Sequence, residues 1–387
     1  MTTNNRELML SGAAWSSFCD DLKAAGALVL AMVPERDPLA VAEGYRYLTR
    51  LLRFGLESQL EFADREYPAF FLPSHETIKV GGDNPDNRYL RAEIDGRYAY
   101  RISGRRGSVG YLSFLTQKGG YERDGRMIAT GFLDGETLQI DDDGRFEIIV
   151  SRQRRGSNWL RLDTESTGLI VRQTFRDRAA EEPATLSIER LERGAGPAPL
   201  DADRLVGGLR HALRFVTATS ELFADWTRRY GAAVNRLEFA DQPECQAVGG
   251  DPNIFYYHGG WALAADEVLV VTLPRVPVCE TWNLQLDNIW YESLDYRHYR
   301  ICLNRYTSTP NPDGSVTLVV AHTDPGHPNW LQTAHHHSGT WLFRWVRSAE
   351  RIDPQCRVMS RQAWLAATTD RFDHCATDAV QSLTTQP

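Results

Sequence analysis

The chain has 387 residues, enough for two domains or one large one, and its 42% hydrophobic and 24% charged residues are ordinary for a soluble globular protein. Its formal net charge is −8 and its basic residues alternate with acidic ones, so we expect no nucleic-acid partner. The apolar run at residues 24–33 is about half as long as a membrane-spanning helix, so we expect no membrane partner. The polar start of the chain argues against a signal peptide and predicts a cytoplasmic location.

The cysteine spacing excludes a zinc ribbon, because no two cysteines form a Cys-x-x-Cys pair. Without an export signal, free thiols are the predicted state. Cys279 and Cys302 lie in or beside strand-like segments, where packing in the core is favoured over a role as nucleophile. The six cysteines are Cys19, Cys245, Cys279, Cys302, Cys356 and Cys375.

Residues 1–68 are predicted to form a helical region. The segment 22–32 is rich in alanine and leucine, and the segment 40–62 carries apolar residues at three- and four-residue steps, which puts them on one face of a helix. Asp37 and Pro38 precede the second segment and are typical of a helix start, with aspartate as the cap and proline in the first turn.

Residues 69–200 form a first predicted β block, because short segments rich in β-branched and aromatic residues follow one another closely. Asp-Gly pairs at 95–96 and 143–144 separate some of these segments, and such pairs between strands predict hairpins. Residues 201–250 are predicted to form a helical bridge, with one long helix at 202–235. The predicted strands of the first block are 89–94, 98–103, 110–116, 147–150, 169–175 and 185–191.

Residues 251–350 form a second predicted β block, a sandwich or jelly roll closed by antiparallel strands. The Asp-Gly pair at 313–314 predicts a hairpin, and residues 351–387 form a polar tail with one short helix at 360–367. The predicted fold class is therefore α+β and β-rich, with two antiparallel β-sandwich or jelly-roll-like blocks, an N-terminal helical region and a bridging helical segment. The strands predicted in the second block are 267–273, 281–286, 299–304, 315–322 and 340–346.

A stretch from His322 to Trp345 gathers titratable side chains among large aromatic ones, which is the composition of a ligand site. It reads HTDPGHPNWLQTAHHHSGTWLFRW and holds five of the ten histidines of the chain. This stretch resembles the C-terminal signature of the bacterial family DUF1214, a domain of unknown function. The stretch is therefore the first place to look for a site.

Further segments resemble the same family, in the same order along the chain. The sequence WNLQLDNIW at 282–290, followed by ESLDYR at 292–297, resembles a central block of the family. The sequence GDNPDN at 82–87 resembles the N-terminal, DUF1254-like β block that these proteins often carry. The resemblance spans residues 40–347. It implies a β-rich, jelly-roll-like architecture, and it implies no established activity and no catalytic residues, since a fold alone does not define a function.

One hypothesis for the histidine-rich stretch is a catalytic site, with His322 as general base, Asp324 as the group that orients it, and His335 as a second acid or a metal ligand. Residues i and i+2 of an extended segment share a face, so His322, His335 and His337 are also candidate ligands of a divalent zinc, iron or manganese ion. The family pattern has a firm histidine at only one of positions 335–337, which weakens the metal interpretation. The alternative is that these histidines cap turns and bond backbone carbonyls.

Aromatic and polar residues around this stretch are candidates for binding a substrate. Carboxylates on a tryptophan-rich surface can have a raised pKa, and a strand arginine can fork onto a carboxylate or phosphate of a ligand. The structural alternative is that each acid pairs with an arginine. The glycine- and amide-rich loop at 81–87 either reaches toward the ligand or forms a tight chain reversal. The candidate substrate-binding residues are Trp282, Trp290, Trp330, Asn329, Arg344 and Glu280.

These observations favour an enzyme that acts on a small hydroxylated or aromatic metabolite by hydrolysis or elimination. Its ligand would lie in an aromatic-lined cleft between the two β blocks, or at the mouth of the second. The alternative is a carbohydrate- or metabolite-binding protein without turnover, since aromatic walls with planar polar groups also suit sugars. A third hypothesis is a structural protein that forms homo-oligomers, which predicts no enclosed pocket near His322.

Overall fold

A computed structural model describes residues 4–33, 35–192, 194 and 196–367. The predicted N-terminal helical region and the helical bridge are confirmed. The predicted tail beyond residue 367, with Cys375, lies outside the described residues. The α-helices are α1 (Asn5–Leu10), α2 (Ala13–Met32), α3 (Pro38–Leu56), α4 (Ala202–Gly231) and α5 (Gln242–Ala247), and a π-helical turn (Glu57–Glu61) extends α3.

Helix α3 begins as the sequence predicts. The Asp37 carboxylate accepts a hydrogen bond from the Ala40 N–H at 2.9 Å, and Pro38 stands in the first turn, where a missing N–H costs nothing. Helix α3 packs against α4 at a close approach, since a Cβ on Gly55 would lie 3.0 Å from the carbonyl oxygen of Ala212. These two helices cover the space between the β blocks and contribute Phe54 and Phe215 to the cavity there.

The first β block is a sandwich of two four-stranded sheets. Its strands are β1 (Asn87–Glu93), β2 (Tyr100–Arg105), β3 (Tyr111–Gly120), β4 (Arg126–Asp134), β5 (Arg145–Ser151), β6 (Trp159–Arg161), β7 (Gly168–Thr174) and β8 (Thr185–Arg190). The sheet orders are β1-β7-β3-β4 and β6-β5-β2-β8, antiparallel except for the parallel pair β5–β6. Fully buried residues such as Phe114, Val171 and Ile148 fill the core between the two sheets.

The second β block is also a sandwich of two sheets. Its strands are β9 (Glu238–Phe239), β10 (Ile254–Ala262), β11 (Glu267–Leu273), β12 (Thr281–Leu286), β13 (Cys302–Asn304), β14 (Val316–Ala321), β15 (Trp330–Gln332), β16 (Ser338–Val346) and β17 (Gln355–Ser360). The sheet orders are β13-β12-β16-β10-β9 and β15-β14-β11-β17, with β14–β15 the parallel pair. Strand β17 and the helical residues 361–367 lie in the segment predicted as a tail.

The predicted Asp-Gly hairpins are wrong. The strands on either side of each pair belong to different sheets: β1 and β2 around 95–96, β4 and β5 around 143–144, and β13 and β14 around 313–314. Each turn carries the chain across a sandwich, because both flanking strands must bury their apolar faces in one core. A Cβ on Gly96 would lie 2.0 Å from the carbonyl oxygen of Asp163, so close packing rather than a hairpin requires this glycine.

Two of the four sheets have a polar face that is buried. Side chains alternate along a strand, so Trp282 and its apolar neighbours on β12 point into the sandwich core, while Asn283 and Gln285 point away from it. Arg172 and Thr174 likewise lie on the face of β7 away from the first core. All four polar side chains are buried, since the outer faces of the two sheets meet between the blocks under α3 and α4.

The helices and the cysteines can be compared with two expectations from the sequence, that no helix spans a membrane and that the thiols are free. Among the described residues, no helix combines the length and the apolar character needed to cross a membrane. The cysteines that the structure describes are free thiols, with Cys245 and Cys279 buried and Cys302 and Cys356 half-buried.

Candidate functional site

A cavity of about 190 Å³ lies where the polar outer faces of the two β blocks meet. Strands β1 and β7 form one wall and β10 and β16 the opposite wall, while α3, α4 and the loop 81–87 close the sides. Part of the lining is apolar and aromatic and part is polar, as is usual for small-molecule sites. The lining includes Tyr89, Arg91, Ile170, Arg172, Tyr256 and Arg344 from the strands, Phe54 and Phe215 from the helices, and Gly82 and Gly249 from loops.

Two buried arginines in this lining are bonded to neutral groups. Arg172 and Arg344 are 8% and 5% exposed. The Arg172 Nη2 donates to the carbonyl oxygen of Gly249, and the Arg344 Nη2 donates to that of Gly82 at 2.7 Å. The Arg344 Nη1 also donates to Gln285 Oε1 at 2.5 Å. Neither guanidinium forms an ion pair with a carboxylate within the described part of the chain, and a buried cation without such a partner is costly.

Nearby carboxylates compensate these charges only in part. Asp251 acts on Arg172 through space, while its own oxygens accept hydrogen bonds from Tyr111 Oη at 2.8 Å and Ser113 Oγ at 2.7 Å. Asp287 acts on Arg344, but burial raises the pKa of Asp287 well above its ordinary value and favours the neutral acid. Basic side chains outnumber acidic ones in the lining, which holds Arg65, Arg91, Arg123, Arg172 and Arg344 but, as acids, Asp83, Glu93 and Glu122.

Several buried polar atoms at the cavity have no hydrogen-bond partner among the described residues. They are Arg172 Nη1, Asn87 Oδ1 and both side-chain amide atoms of Gln117. Gln117 is 3% exposed and lies beside the lining, because a Cβ on Gly249 would be 3.3 Å from its Nε2. An unpaired buried polar group costs about 1–3 kcal/mol. The atoms therefore mark places where a polar molecule in the cavity would gain hydrogen bonds.

The loop 81–87 forms one side of the cavity, and two glycines fix its path. Gly81 and Gly82 have φ of +67° and +62°, a conformation that residues with side chains rarely adopt. The Gly82 N–H donates to the carbonyl oxygen of Tyr291 at 2.8 Å, and a Cβ on Gly82 would lie 2.9 Å from that ring. Asn84 Oδ1 accepts from Asn283 Nδ2 at 2.7 Å, which ties the loop to the second block.

The segment 282–297 supplies a network of buried charges next to the loop. Glu292 forms an ion pair with Arg50 of α3 at 2.8 Å, and burial raises the pKa of Glu292 to about 7 although Arg50 opposes this shift. Lys79 donates to Ser293 Oγ at 2.9 Å, and burial lowers the pKa of this lysine. Ser293 in turn donates from its N–H and hydroxyl to Asp83 at 2.9 and 2.8 Å. The network joins the helical region, the loop and the second β block.

The proposed pairing of His322 with Asp324 is wrong. Both ring nitrogens of His322 have other partners, since Nε2 donates to the carbonyl oxygen of Leu263 at 3.2 Å and Nδ1 bonds Thr333 Oγ1 at 2.9 Å. Asp324 is exposed, and its Oδ1 accepts the N–H of Gly326 at 2.8 Å within the Asp-Pro-Gly turn. Both ring nitrogens of His322 are therefore bonded to the backbone or to a hydroxyl. These contacts support a structural role for His322 over a role in proton transfer.

The candidate metal ligands do not form a metal centre. His335 and Ala334 have φ of +69° and +48°, so the chain turns here and the rule for extended segments does not apply. His335 is exposed and bonds Tyr299 Oη at 3.2 Å, and the ring of His337 lies 5.1 Å from that of His322. Within the described ranges, no group of three histidine, cysteine, aspartate or glutamate side chains converges as a metal site requires.

His336, between His335 and His337, contacts the N-terminal helical region. His336 Nε2 lies 2.9 Å from Glu43 Oε2 of α3, and its Nδ1 lies 2.9 Å from the carbonyl oxygen of Ala334. The same Glu43 oxygen accepts from Asn288 Nδ2 at 2.9 Å. Burial lowers the pKa of His336, but the hydrogen bond and the charge of Glu43 outweigh this and leave the pKa raised. His336 therefore fastens the N-terminal helical region to the second block.

We expect His336→Gln to lower the free energy of unfolding by about 1–3 kcal/mol at pH 6 and by less at pH 8. The His336 pKa is raised above its ordinary 6.5, so its contribution is fully present below pH 6.5 and is lost as the pH rises through the folded-state pKa. Glu43 has a lowered pKa, so its own contribution is kept above 4.5. Chemical unfolding at pH 6 and pH 8 measures the difference, with exposed His335→Gln as control. A loss that does not depend on pH would contradict the charged pair.

The three candidate tryptophans are held within the fold and lie outside the cavity lining. Trp282 is fully buried in the second sandwich core. The Trp290 Nε1 donates to the carbonyl oxygen of Ala40 in α3 at 2.9 Å, and the Trp330 Nε1 donates to that of Ala321 at 2.9 Å. Each indole is bonded or packed within the protein, and none of the three lines the cavity.

Two of the remaining candidates are also held by the fold, and one lies in the cavity. Asn329 donates to the carbonyl oxygens of Thr309 and Thr317 at 2.7 and 2.8 Å. Glu280 pairs with Arg176 at 2.7 Å, as the structural alternative predicts. Arg344 is the residue among the sequence-based candidates that lines the cavity.

Sequence reasoning missed Arg172, Tyr89 and Gln117. The signal that was present is alternation: in GLIVRQT of β7, Arg172 and Thr174 take the positions opposite the core residues Leu169 and Val171. A polar position on a strand is usually solvated, so the pattern alone does not reveal that this face is covered. The covering helix α4 begins about thirty residues later in the chain.

The fold and the cavity define an α+β protein with two β-sandwiches and a small-molecule-sized cavity between them. The chain belongs to the DUF1214 family, described as "Protein of unknown function (DUF1214)", whose model matches residues 259–349. An uncharacterized protein from Burkholderia cenocepacia has a similar crystal structure, with 54% sequence identity and a TM-score of 0.90 over 93% of this chain and 100% of that one. The VPA0106 protein from Vibrio parahaemolyticus has 13% identity and a TM-score of 0.49, over 82% and 98%. No curated protein matches the chain.

Proposed function

We propose that the protein binds a small polar organic molecule in the cavity between its two β blocks. The observation that carries this proposal is the set of buried polar atoms without partners at the lining, Arg172 Nη1 and Asn87 Oδ1 among them. Folded proteins satisfy nearly all buried polar groups, so unpaired groups in the lining of a cavity support the binding of a ligand there. A hydroxylated or aromatic metabolite, the class expected from the sequence, fits such a lining.

The size of the cavity sets the size of the ligand. An apolar cavity of roughly 150 Å³ holds a benzene molecule, so about 190 Å³ accommodates a single ring with one or two substituents. A polysaccharide chain would need an open face with flat tryptophans, and Trp282 and Trp290 are instead buried in the protein. The proposal is therefore a metabolite-binding protein, and it requires no turnover.

Hydrolysis or elimination with His322 as base receives no support from the contacts of that residue. Its nitrogens are bonded to Leu263 and Thr333, and proton abstraction would break one of these bonds. Of the titratable groups that line the cavity, Tyr89 and Asp83 hold the loop 81–87 through hydrogen bonds, and Glu93 pairs with Arg91 at 2.7 Å. We therefore propose binding and not catalysis.

The test is a ligand screen with a variant whose cavity is blocked. Ile170→Phe fills the lining of β7, and Ile140→Phe adds the same volume at a position that is 38% exposed. A metabolite at about 100 times its Kd should stabilise the wild-type protein and Ile140→Phe by about 2.7 kcal/mol, seen as a higher melting temperature, and should leave Ile170→Phe unchanged. Failure to find any compound with this pattern among small acids, alcohols and sugars would contradict the proposal.

A further inference from the structure

We infer that the molecule bound in this cavity is a small organic acid whose carboxylate or phosphate group is held by Arg172 and Arg344. The inference rests on the proposed binding function and specifies the chemistry of its ligand. The two guanidinium groups are buried, line the same cavity and find carbonyl or amide oxygens rather than carboxylates as their partners. An acidic ligand would supply the missing negative charge, and its hydrogen bonds to a guanidinium are charge-assisted.

The two arginines act on the same region of the cavity. Both lie close enough to the hydroxyl of Tyr256 to affect its ionisation, and the hydroxyl of Tyr89 also interacts with Arg172 through space. Arg172 donates from Nη2 to the carbonyl oxygen of Gly249 and has no protein partner for Nη1 among the described residues, whereas Arg344 donates from both Nη nitrogens, to Gln285 Oε1 and to the carbonyl oxygen of Gly82. Both side chains line the same cavity, so an anionic group inside it is attracted by both charges.

Tyr89 provides a further donor for the same anion. Its hydroxyl oxygen accepts from the N–H of Asn84 at 3.3 Å and from Asn87 Nδ2 at 3.0 Å. A phenol has one hydrogen to donate and two lone pairs, so these two bonds use its accepting capacity and leave the O–H for a ligand oxygen. The Nη1 group of Arg172, which has no partner in the described residues, adds two N–H donors.

The apolar residues of the lining suit the hydrocarbon part of an organic acid. Phe54 and Phe215 line the cavity with their ring centroids 4.6 Å apart, and Ile170 of β7 is a further apolar lining residue. An aromatic or branched aliphatic acid would place its hydrocarbon part here, where each buried CH₂ contributes about 0.8 kcal/mol. A free inorganic ion would leave this part unfilled, so an organic acid fits the cavity better.

The experiment compares an acid with its neutral relative by isothermal titration calorimetry. The probes are sodium benzoate, inorganic phosphate and benzyl alcohol, and the variants are Arg172→Gln and the exposed control Arg105→Gln. We expect benzoate to bind the wild-type protein and Arg105→Gln alike, and to bind Arg172→Gln at least tenfold more weakly. The affinity for benzyl alcohol should differ less than threefold between Arg172→Gln and the wild-type protein. Tyr89→Phe removes one hydroxyl only and should weaken benzoate two- to tenfold, which provides a test even if Arg172→Gln does not fold.

The outcomes separate this inference from the binding function on which it rests. Benzyl alcohol that binds wild type but not Ile170→Phe, with no binding of benzoate or phosphate, would overturn the inference and leave the binding function intact. Benzoate that binds wild type, Arg172→Gln and Tyr89→Phe equally would do the same. If none of the three probes binds, the inference is also overturned. The broader metabolite screen then tests the binding function separately.

Discussion

Replacing Arg50 with methionine is expected to lower the free energy of unfolding by about 3–5 kcal/mol, the cost of removing one member of a buried ion pair. The Arg50 Nη1 and Glu292 Oε2 atoms are 2.8 Å apart, and both side chains are buried. Methionine keeps an unbranched stem of similar shape and removes the guanidinium, so the loss reports mainly on the isolated Glu292. Urea unfolding followed by circular dichroism gives the value.

The loss should depend on pH, because burial raises the pKa of Glu292 to about 7 from its ordinary 4.5. A raised carboxyl pKa means that folding disfavours the charged form, so this group costs stability as the pH rises from 4.5 through 7. Arg50 offsets that cost only when Glu292 is charged. The effect of Arg50→Met should therefore be smaller at pH 5.5 than at pH 8.

An exposed ion pair provides the control for the Arg50 experiment. Arg228 pairs with Asp225 at 3.1 Å on the surface of α4, and Arg228→Met should change stability by less than about 0.5 kcal/mol. If Arg50→Met cost no more than this, the buried pair would not be a structural link between α3 and the second β block. An equal cost at both pH values would contradict the assigned charge of Glu292.

Trp290→Ala is expected to lower the free energy of unfolding by about 3–5 kcal/mol and to leave ligand affinity within threefold of wild type. The Trp290 ring stacks on Tyr47 at a centroid distance of 5.7 Å, and its Nε1 donates to the carbonyl oxygen of Ala40. Truncation would open a void between α3 and the second β block, where the indole is buried. Thermal and chemical unfolding measure the loss, and calorimetry with benzoate measures affinity.

Trp15→Ala is the matched control for the tryptophan, because this side chain is 62% exposed. Its removal should change stability by less than about 1 kcal/mol. A small loss of stability for Trp290→Ala together with a tenfold weaker benzoate affinity would mean that Trp290 is a wall of the ligand site, as the sequence suggested, and not an anchor of the helical region.

The sequence predicted the layout of the fold because its signals are local. Three- and four-residue periodicity marked α3, the Asp37 cap marked its first turn, and runs of β-branched and aromatic residues marked strands such as β7. The hairpin predictions failed because an Asp-Gly pair defines a turn but not the partner of each strand. Pairing depends on which apolar faces share a core, and a short segment does not carry that information.

The sequence was less informative about the site. The histidines attracted attention through their number, yet the positive φ of His335 turns the chain, and these side chains bond groups of the fold such as Tyr299 and Glu43. Arg344 was identified because it stands among aromatic residues, but Arg172 was not, since nothing in β7 shows that its polar face is covered. The elements that cover the polar face of β7 are α4 and the second β block, which follow much later in the chain. A buried polar face is thus a property of tertiary structure.

The most direct test of the account is a crystal structure of the wild-type protein soaked with 4-bromobenzoate, with bromine located by its anomalous scattering. If the cavity binds an organic acid, one bromine peak lies inside it near Phe54 and Phe215, with carboxylate oxygens at hydrogen-bond distance, about 2.7–3.2 Å, from Arg172 or Arg344. Bromine found only outside the cavity, or an empty cavity at a saturating concentration of the acid, would contradict it.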